Sequence, residues 1–100
     1  MKLNKENRIK CGKIIKIYTR EQQLLIAMEE LAELSQAISK YIRYGDIEPL
    51  LEEYADVEVV MEELRQMFDI KKKDINRRCN KKLFRALEGK VAYETIPGNR

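Results

Sequence analysis

The sequence predicts an all-α protein in which an antiparallel helical hairpin forms part of a four-helix bundle, completed by oligomerisation. Only four Gly and two Pro interrupt its 100 residues. Two long central segments repeat their apolar residues with the period of a helix, and the short link between them requires an antiparallel pair. A chain of this length buries a modest core, so a partner chain would help to stabilise it. We expect one helical domain over residues 1–90 and an irregular tail over residues 91–100.

Four helices are expected, at about residues 5–17, 20–44, 48–69 and 72–88. Thr19 followed by Gln22 predicts a capping box at the start of the second helix. Gly45 is expected to end that helix, and Pro49 falls just inside the start of the third. Gly89 is expected to stop the fourth helix.

Each of the two central helices carries an apolar stripe whose members are spaced 4, 3, 4, 3 and 4 residues apart. Such spacing keeps the stripe on one face at about 100° per residue. We therefore expect the two stripes to form the seam of the hairpin. They consist of Leu24, Met28, Leu31, Ser35, Ile38 and Ile42 in the second helix, and of Leu50, Tyr54, Val57, Met61, Leu64 and Phe68 in the third.

The charges are unevenly distributed along the chain. Lys and Arg total 20 and Asp and Glu total 17, a balance too mild to indicate a nucleic-acid-binding protein. Residues 21–69, however, hold 13 acids and 3 bases, whereas both ends are basic. This pattern suits a protein that binds a cation and a polyanion together, or one whose opposite blocks attract within the fold or across a dimer.

The remaining composition excludes several classes of protein. The chain has no His, and Cys11 and Cys79 lie far apart, which argues against the usual zinc sites and against His-based acid–base catalysis. We expect both cysteines to be free thiols. The N-terminal residues lack the pattern of a signal peptide, and no apolar run is long enough for a membrane span. We expect a cytoplasmic protein with no membrane association.

Acids three residues apart lie one turn apart on a helix, so both can reach one cation. The chain has only two such pairs, Glu30 with Glu33 and Glu53 with Asp56, one on each arm of the expected hairpin. Both pairs border the apolar stripes, where an unpaired carboxylate is costly to bury. Magnesium, which prefers oxygen ligands, would remove that cost. The alternative is that the pairs arose by chance in helices rich in Glu.

Other acids on the two arms are expected to be solvated charges. They are Glu29, Glu52 and Glu63, which the helical pattern directs further outward. Glu29 lies one helical turn from Glu33, so it is close enough to influence the Glu33 carboxylate without binding the metal itself.

The acidic motifs resemble those of a known family. The segment QLLIAMEELAELSQAI followed by LLEEYADVEVVMEEL is similar to the signature of the MazG-like all-alpha nucleoside triphosphate pyrophosphohydrolases, Glu-Glu-x-x-Glu on one helix and Glu-x-x-Asp on the next. Here the motif positions are filled by Glu29, Glu30, Glu33, Glu53 and Asp56.

The resemblance implies an enzyme that hydrolyses a nucleoside triphosphate to the monophosphate and pyrophosphate, with a role in nucleotide-pool housekeeping. It implies that Glu30, Glu33, Glu53 and Asp56 hold Mg²⁺, for which Mn²⁺ can substitute. The metal would neutralise phosphate charge and lower the pKa of a bound water. Glu30 or Glu33 is the expected catalytic residue that orients or deprotonates this water.

The resemblance also implies contacts to the substrate and to further copies of the chain. Short members of the family form homodimers or homotetramers that complete the nucleotide pocket across subunits. Tyr41, or Tyr44 beside it, could stack on the base, although such residues are more often core or interface. The fourth helix would provide the triphosphate-binding residues Asn80, Lys81, Lys82 and Arg85, whose alternative interpretation is a solvated basic face.

Two other functions compete with the enzyme. In the first, the chain is a non-enzymatic helical module for oligomerisation or interaction, and the acid pairs decorate its surface. In the second, the basic ends bind nucleic acid. The acidic middle, and a basic set that is not interleaved with an aromatic platform, argue against the second.

Overall fold

The polypeptide forms four α-helices. The structure, a computed structural model, describes the backbone of residues 3–94 and the side chains of residues 3–89. The helices are α1 (Lys5–Ile14), α2 (Arg20–Tyr44), α3 (Glu48–Met67) and α4 (Lys72–Glu94). No strand occurs within residues 3–94, which confirms the predicted all-α class over that range.

The chain divides into two compact units. The first extends to Asp69 and contains α1–α3, and the second begins at Ile70 and contains α4. In the first unit α2 packs against α3 as the expected antiparallel hairpin, and α1 packs against α3. The four-helix bundle, the single domain and the oligomer stay predictions. Over the described ranges, none of the four helices combines the length and the apolar character needed to cross a membrane.

The ends of α2 and the start of α3 follow the local sequence signals. Thr19 Oγ1 accepts a hydrogen bond from the Gln22 backbone N–H at 3.1 Å, and Gln22 Oε1 accepts one from the Thr19 backbone N–H at 2.9 Å. This confirms the capping box. Gly45 ends α2 with φ of 75°, a left-handed conformation that glycine adopts without steric cost. Pro49 lies in the first turn of α3, where its missing N–H leaves no carbonyl unpaired.

The first and third helices end earlier than expected. α1 stops at Ile14, and a tight turn follows in which the Ile17 N–H donates to the Ile14 carbonyl at 2.9 Å. α3 stops at Met67, and Asp69 then adopts φ of 50°. Asp tolerates the left-handed region better than most residues, so the chain can turn there without a glycine.

The fourth helix ends later than expected. α4 continues through Gly89 to Glu94, so the predicted stop at Gly89 is wrong. A single glycine inside a helix costs only about 1 kcal/mol relative to alanine, which is too little to end one by itself. Residues 91–94 of the expected irregular tail are therefore helical, and residues 95–100 lie outside the described residues.

The contact between α1 and α3 depends on a small residue. A Cβ atom at Gly12 would lie 2.9 Å from Gln66 Oε1, too close for an unchanged fit. The Gln66 amide also donates from Nε2 to the Arg8 carbonyl at 2.8 Å. Beside it Cys11 is buried, with its Sγ 3.9 Å from the Val59 carbonyl, and it is a free thiol like Cys79, as expected.

The seam between α2 and α3 is not the one that the apolar stripes predicted. Its buried residues are Gln23, Ala27 and Ala37 on α2, with Val60 and Glu63 on α3. The two alanines leave room for the helices to approach closely. At about 100° per residue, these positions lie roughly 100° around each helix from the predicted stripe.

The predicted stripes instead lie largely on the surface of the hairpin. Met28 is 65% exposed and Ile42 is 77% exposed. In an antiparallel pair, an equal rotation of both stripes brings them to the same side of the hairpin. The exposed apolar face defined in this way comprises Met28, Leu31, Ile38, Ile42, Tyr54, Met61 and Phe68. The periodicity correctly identified which residues share a face, but it could not identify which face the partner helix covers.

The small buried residues of the seam give a test of this arrangement. Replacing Ala37 with Leu should lower the free energy of unfolding by about 1–3 kcal/mol, because three extra carbons must enter a closely packed interface. Urea denaturation followed by circular dichroism measures the change. Ala55→Leu is the matched control, because Ala55 is exposed on α3 and should alter stability by less than about 0.5 kcal/mol. Equal effects of the two substitutions would contradict the seam described here.

Candidate metal centre

The hairpin brings the two acid pairs together at one point along its length. Glu30 and Glu33 lie one turn apart on α2, and Glu53 and Asp56 lie one turn apart on α3. Each of the four residues offers one carboxylate oxygen, and these oxygens all lie within 4.8 Å of one another. We call these four residues the acid cluster. The antiparallel pairing of the helices produces the acid cluster, because it places the middle of α2 opposite the first half of α3.

The four acids differ in burial. Glu30 and Glu53 are half-buried, whereas Glu33 and Asp56 are exposed. Glu30 Oε2 and Glu53 Oε2 are inaccessible to solvent, and within the described part of the chain neither has a hydrogen-bond partner. Buried polar atoms almost always have partners, and a cation or a water molecule at the cluster would supply one for these two oxygens.

The mutual repulsion of the acids alters their proton affinity. Burial raises the pKa of Glu30, and the nearby charges of Asp56, Glu33 and Glu53 raise it further. Burial also raises the pKa of Glu53, and the neighbouring Glu33 carboxyl group acts in the same direction. Both shifts mean that the ionised cluster is destabilised until positive charge or protons enter it.

The donor set determines which cation the acid cluster suits. It presents only carboxylate oxygens, which are the ligands of hard divalent cations such as Mg²⁺, Mn²⁺ and Ca²⁺. The two exposed members would leave room for water or for substrate phosphates beside a bound cation. The chemistry that such a site supports is the hydrolysis or transfer of phosphoryl groups.

One acid that was expected to be solvated, Glu63, is buried against a buried glutamine, Gln23. Glu29 and Glu52 are exposed as expected, but Glu63 is only 3% exposed. Its Oε1 accepts a 2.8 Å hydrogen bond from Nε2 of Gln23, which is 1% exposed. Burial raises the pKa of Glu63, and the Gln23 hydrogen bond opposes that shift.

A spacing signal could have found this buried pair. Gln23 precedes Glu30 by seven residues, and Glu63 follows Asp56 by seven residues. Seven residues are close to two helical turns, so both residues share the face of the acid cluster. The apolar stripes define a different face of each helix, and Gln23 and Glu63 do not lie on that face.

The expected substrate-binding residues lie elsewhere in the sequence. Asn80, Lys81, Lys82 and Arg85 are exposed on α4, in the second unit. Within that unit, Asn80 and Lys81 border an open groove together with Lys72, Lys73, Asn76 and Arg77. Their role toward a triphosphate stays a prediction.

The aromatic candidate on α2 is also exposed. Tyr41 lies near the end of the helix, and its residue surface is 43% exposed. It precedes Gly45 by one turn and lies well beyond the acid cluster along α2. Stacking of Tyr41 on a base likewise stays a prediction.

Comparisons with protein-family models, with curated proteins and with solved structures found no match to this chain. The resemblance to the MazG-like enzymes therefore rests on the two acidic motifs.

The raised pKa values predict how pH affects the stability of the metal-free protein. Between the ordinary carboxyl pKa and the raised values of Glu30 and Glu53, the folded state binds more protons than the unfolded state. Stability should therefore fall as pH rises through this window. Thermal unfolding in EDTA from pH 4.5 upward measures the dependence.

Substitutions distinguish the titration of the acid cluster from the titration of other acids in the protein. Glu30→Gln and Glu53→Gln should each reduce the slope, because each removes one of the titrating groups. Glu63 contributes a slope of the same sign and lies outside the cluster, so Glu63→Gln is the comparison variant. Added Mg²⁺ should raise the melting temperature of Glu63→Gln at pH 7 by more than that of Glu30→Gln. The opposite order would contradict cation binding at the cluster.

Proposed function

We propose that the protein is a magnesium-dependent nucleoside triphosphate pyrophosphohydrolase, which releases the nucleoside monophosphate and pyrophosphate. The observation that carries the proposal is the acid cluster, in which four carboxylates from two helices converge within 4.8 Å. The resemblance of the two motifs to those of the MazG-like enzymes supports the same reaction. Nucleotide-pool housekeeping is the role that this activity would serve.

The residues present fit a magnesium ion. Glu30, Glu33, Glu53 and Asp56 would hold it, and the unpartnered oxygens of Glu30 and Glu53 would gain a ligand. Bound Mg²⁺ supplies positive charge that stabilises the triphosphate and the charge developing in the transition state. Mn²⁺, which has similar ligand preferences, would substitute for it.

The different exposure of the four acids suggests which of them activates water and which bind the cation. Glu33 is the exposed member of the α2 pair, so its carboxylate is accessible to a water molecule that approaches from solvent. We assign orientation or deprotonation of this water to Glu33, with Glu30 as the alternative catalytic residue. Glu30 and Glu53, which are half-buried, anchor the cation side of the cluster.

The basic residues of α4 are the proposed triphosphate ligands. Lys81 and Arg85 lie four residues apart, so both side chains can contact one phosphate group. Lys82 is three residues from Arg85 and offers a second arrangement, and Asn80 adds an amide donor. Tyr41 remains the proposed stacking partner of the base.

The exposed apolar face supports a homodimer or homotetramer as the active species. Seven large side chains on one side of the hairpin are each at least two-fifths exposed. Contiguous apolar patches of this kind usually mark protein–protein interfaces. The same face also favours the alternative function, a non-enzymatic oligomerisation module. In that alternative the acid cluster has no function.

Hydrolysis assays test the proposed activity directly. With Mg²⁺ and a panel of ribo- and deoxynucleoside triphosphates, the protein should release monophosphate and pyrophosphate in equal amounts. Glu33→Gln and Asp56→Asn should lower kcat/KM at least a hundredfold, because each removes charge from the proposed metal site. Glu52→Gln, an exposed acid adjacent to Glu53 in sequence, should stay within about twofold.

The same assays can reject the enzyme. Absence of turnover with every triphosphate, together with no calorimetric signal for Mg²⁺, would leave the oligomerisation module as the function. Turnover that survives both substitutions in the acid cluster would place the chemistry at another site.

A charge on the exposed apolar face tests the proposed assembly. Ile38→Glu and Met61→Glu should each shift the protein from oligomer to monomer, because a carboxylate would have to enter an apolar interface. Size-exclusion chromatography with light scattering gives the mass. Lys40→Glu places a carboxylate on the opposite side of α2, with a charge change of −2 in place of −1, and should still leave the mass unchanged. A monomeric parent protein would contradict the proposed assembly.

A further inference from the structure

An open cavity of about 230 Å³ lies in the hairpin unit, and two members of the acid cluster contribute to its lining. Glu30 and Asp56 line one part of it, and Gln23 and Glu63 line another. Apolar side chains, including Ile26 and Val59, complete the wall. The cavity therefore joins two polar groups of residues through an apolar middle.

Gln23 provides the strongest indication that the cavity receives a ligand. Its side chain is 1% exposed, and its Nε2 donates to Glu63 Oε1. A carboxylate accepts hydrogen bonds and does not donate them, so it holds the NH₂ group of the amide and leaves the carbonyl oxygen for another partner. Among the described residues, that oxygen, Gln23 Oε1, has no hydrogen-bond partner. An unpaired acceptor this deeply buried is costly unless a ligand or water supplies a donor.

The spacing of the two polar groups suits a nucleotide. Gln23 and Glu30 are seven residues apart on α2, and Asp56 and Glu63 are seven residues apart on α3. At 1.5 Å per residue, each separation is about 10 Å along the hairpin. This is comparable to the distance between the α phosphate and the pairing edge of the base in an extended nucleotide.

We infer that the cavity receives the nucleobase of the substrate and selects bases with an exocyclic amino group, whose N–H donates to Gln23 Oε1. The inference rests on the proposed function, since the acid cluster would hold the phosphates of the same molecule. The size agrees with this division, because pockets that enclose a whole drug-sized ligand measure about 300–1,000 Å³. A cavity of about 230 Å³ is smaller and suits the heterocycle with the adjoining sugar, which leaves the phosphates at the acid cluster.

The chemistry of the bases explains the direction of the preference. Cytosine and adenine carry amino donors where uracil and hypoxanthine carry carbonyl acceptors. A carbonyl oxygen at that position would face Gln23 Oε1, and two acceptors cannot satisfy each other. Sites built around a buried hydrogen-bonding group reject analogues that leave it unpaired.

Nucleoside binding without metal tests the cavity separately from catalysis. Ligand-observed NMR with the full chain in EDTA would compare cytidine with uridine and adenosine with inosine. Each amino nucleoside should bind at least about tenfold more tightly than its oxo partner, a difference expected for one buried hydrogen bond. Equal affinities within both pairs, or no detectable binding of either amino nucleoside, would overturn the inference.

Two variants distinguish the role of the cavity in base selection from the role of the acid cluster in hydrolysis. Gln23→Met combined with Glu63→Met replaces both polar partners without leaving either one unpaired, and it should abolish the preference for cytidine over uridine. A preference that persists in a double variant of native circular dichroism would overturn the role of Gln23. Should the double variant not fold, the nucleoside pairs with the parent protein still decide the matter.

The second variant separates the two proposals. Glu33→Gln lies outside the cavity lining and should keep the nucleoside preference while losing turnover. Selective nucleoside binding by a parent protein that hydrolyses no triphosphate would reject the proposed reaction and support the cavity as a base site. Turnover of CTP and UTP with the same kcat/KM would overturn base selection and leave the proposed reaction intact.

Discussion

The pairing of α2 with α3 brings four carboxylates within 4.8 Å of one another, and the rest of the hairpin has to accommodate this repulsion. Two of the acids are half-buried and have raised pKa values, so the seam is stabilised by whatever neutralises them. Apolar residues next to the cluster could not relieve the repulsion, because it acts between the acids themselves. A bound cation or added protons would do so.

The helices hold the acids in place through features at some distance from them. The capping box at Thr19 and the left-handed Gly45 fix both ends of α2, and the short link then sets the register of α3. Ala27 and Ala37 allow the helices to lie close together along the seam. On its other side α3 is braced by α1, where the absence of a side chain at Gly12 admits Gln66. The site therefore depends on small residues as much as on charged ones.

Local signals allowed much of this fold to be predicted from sequence. Thr19, Gly45 and Pro49 act through their own backbone geometry, and the acid spacing needed only a helix and a hairpin to bring the cluster together. The orientation of the stripes could not be predicted in the same way, since it depends on which face a neighbour covers. Gln23 and Glu63 were missed for that reason. Gly89 failed as a stop because one glycine is a small cost against a long helix.

The unexpected orientation links the acid cluster to the exposed apolar face. Stripe and seam lie roughly 100° apart on each helix, so only one of them can face the partner helix. If the apolar stripes formed the seam, the acids of both helices would lie on one side of the hairpin, roughly 100° from the line of contact, and their carboxylates would be farther apart. The close convergence of the acids therefore accompanies the exposure of the stripes. A single rotation of both helices creates the candidate metal centre and leaves the surface that the proposed oligomer would bury.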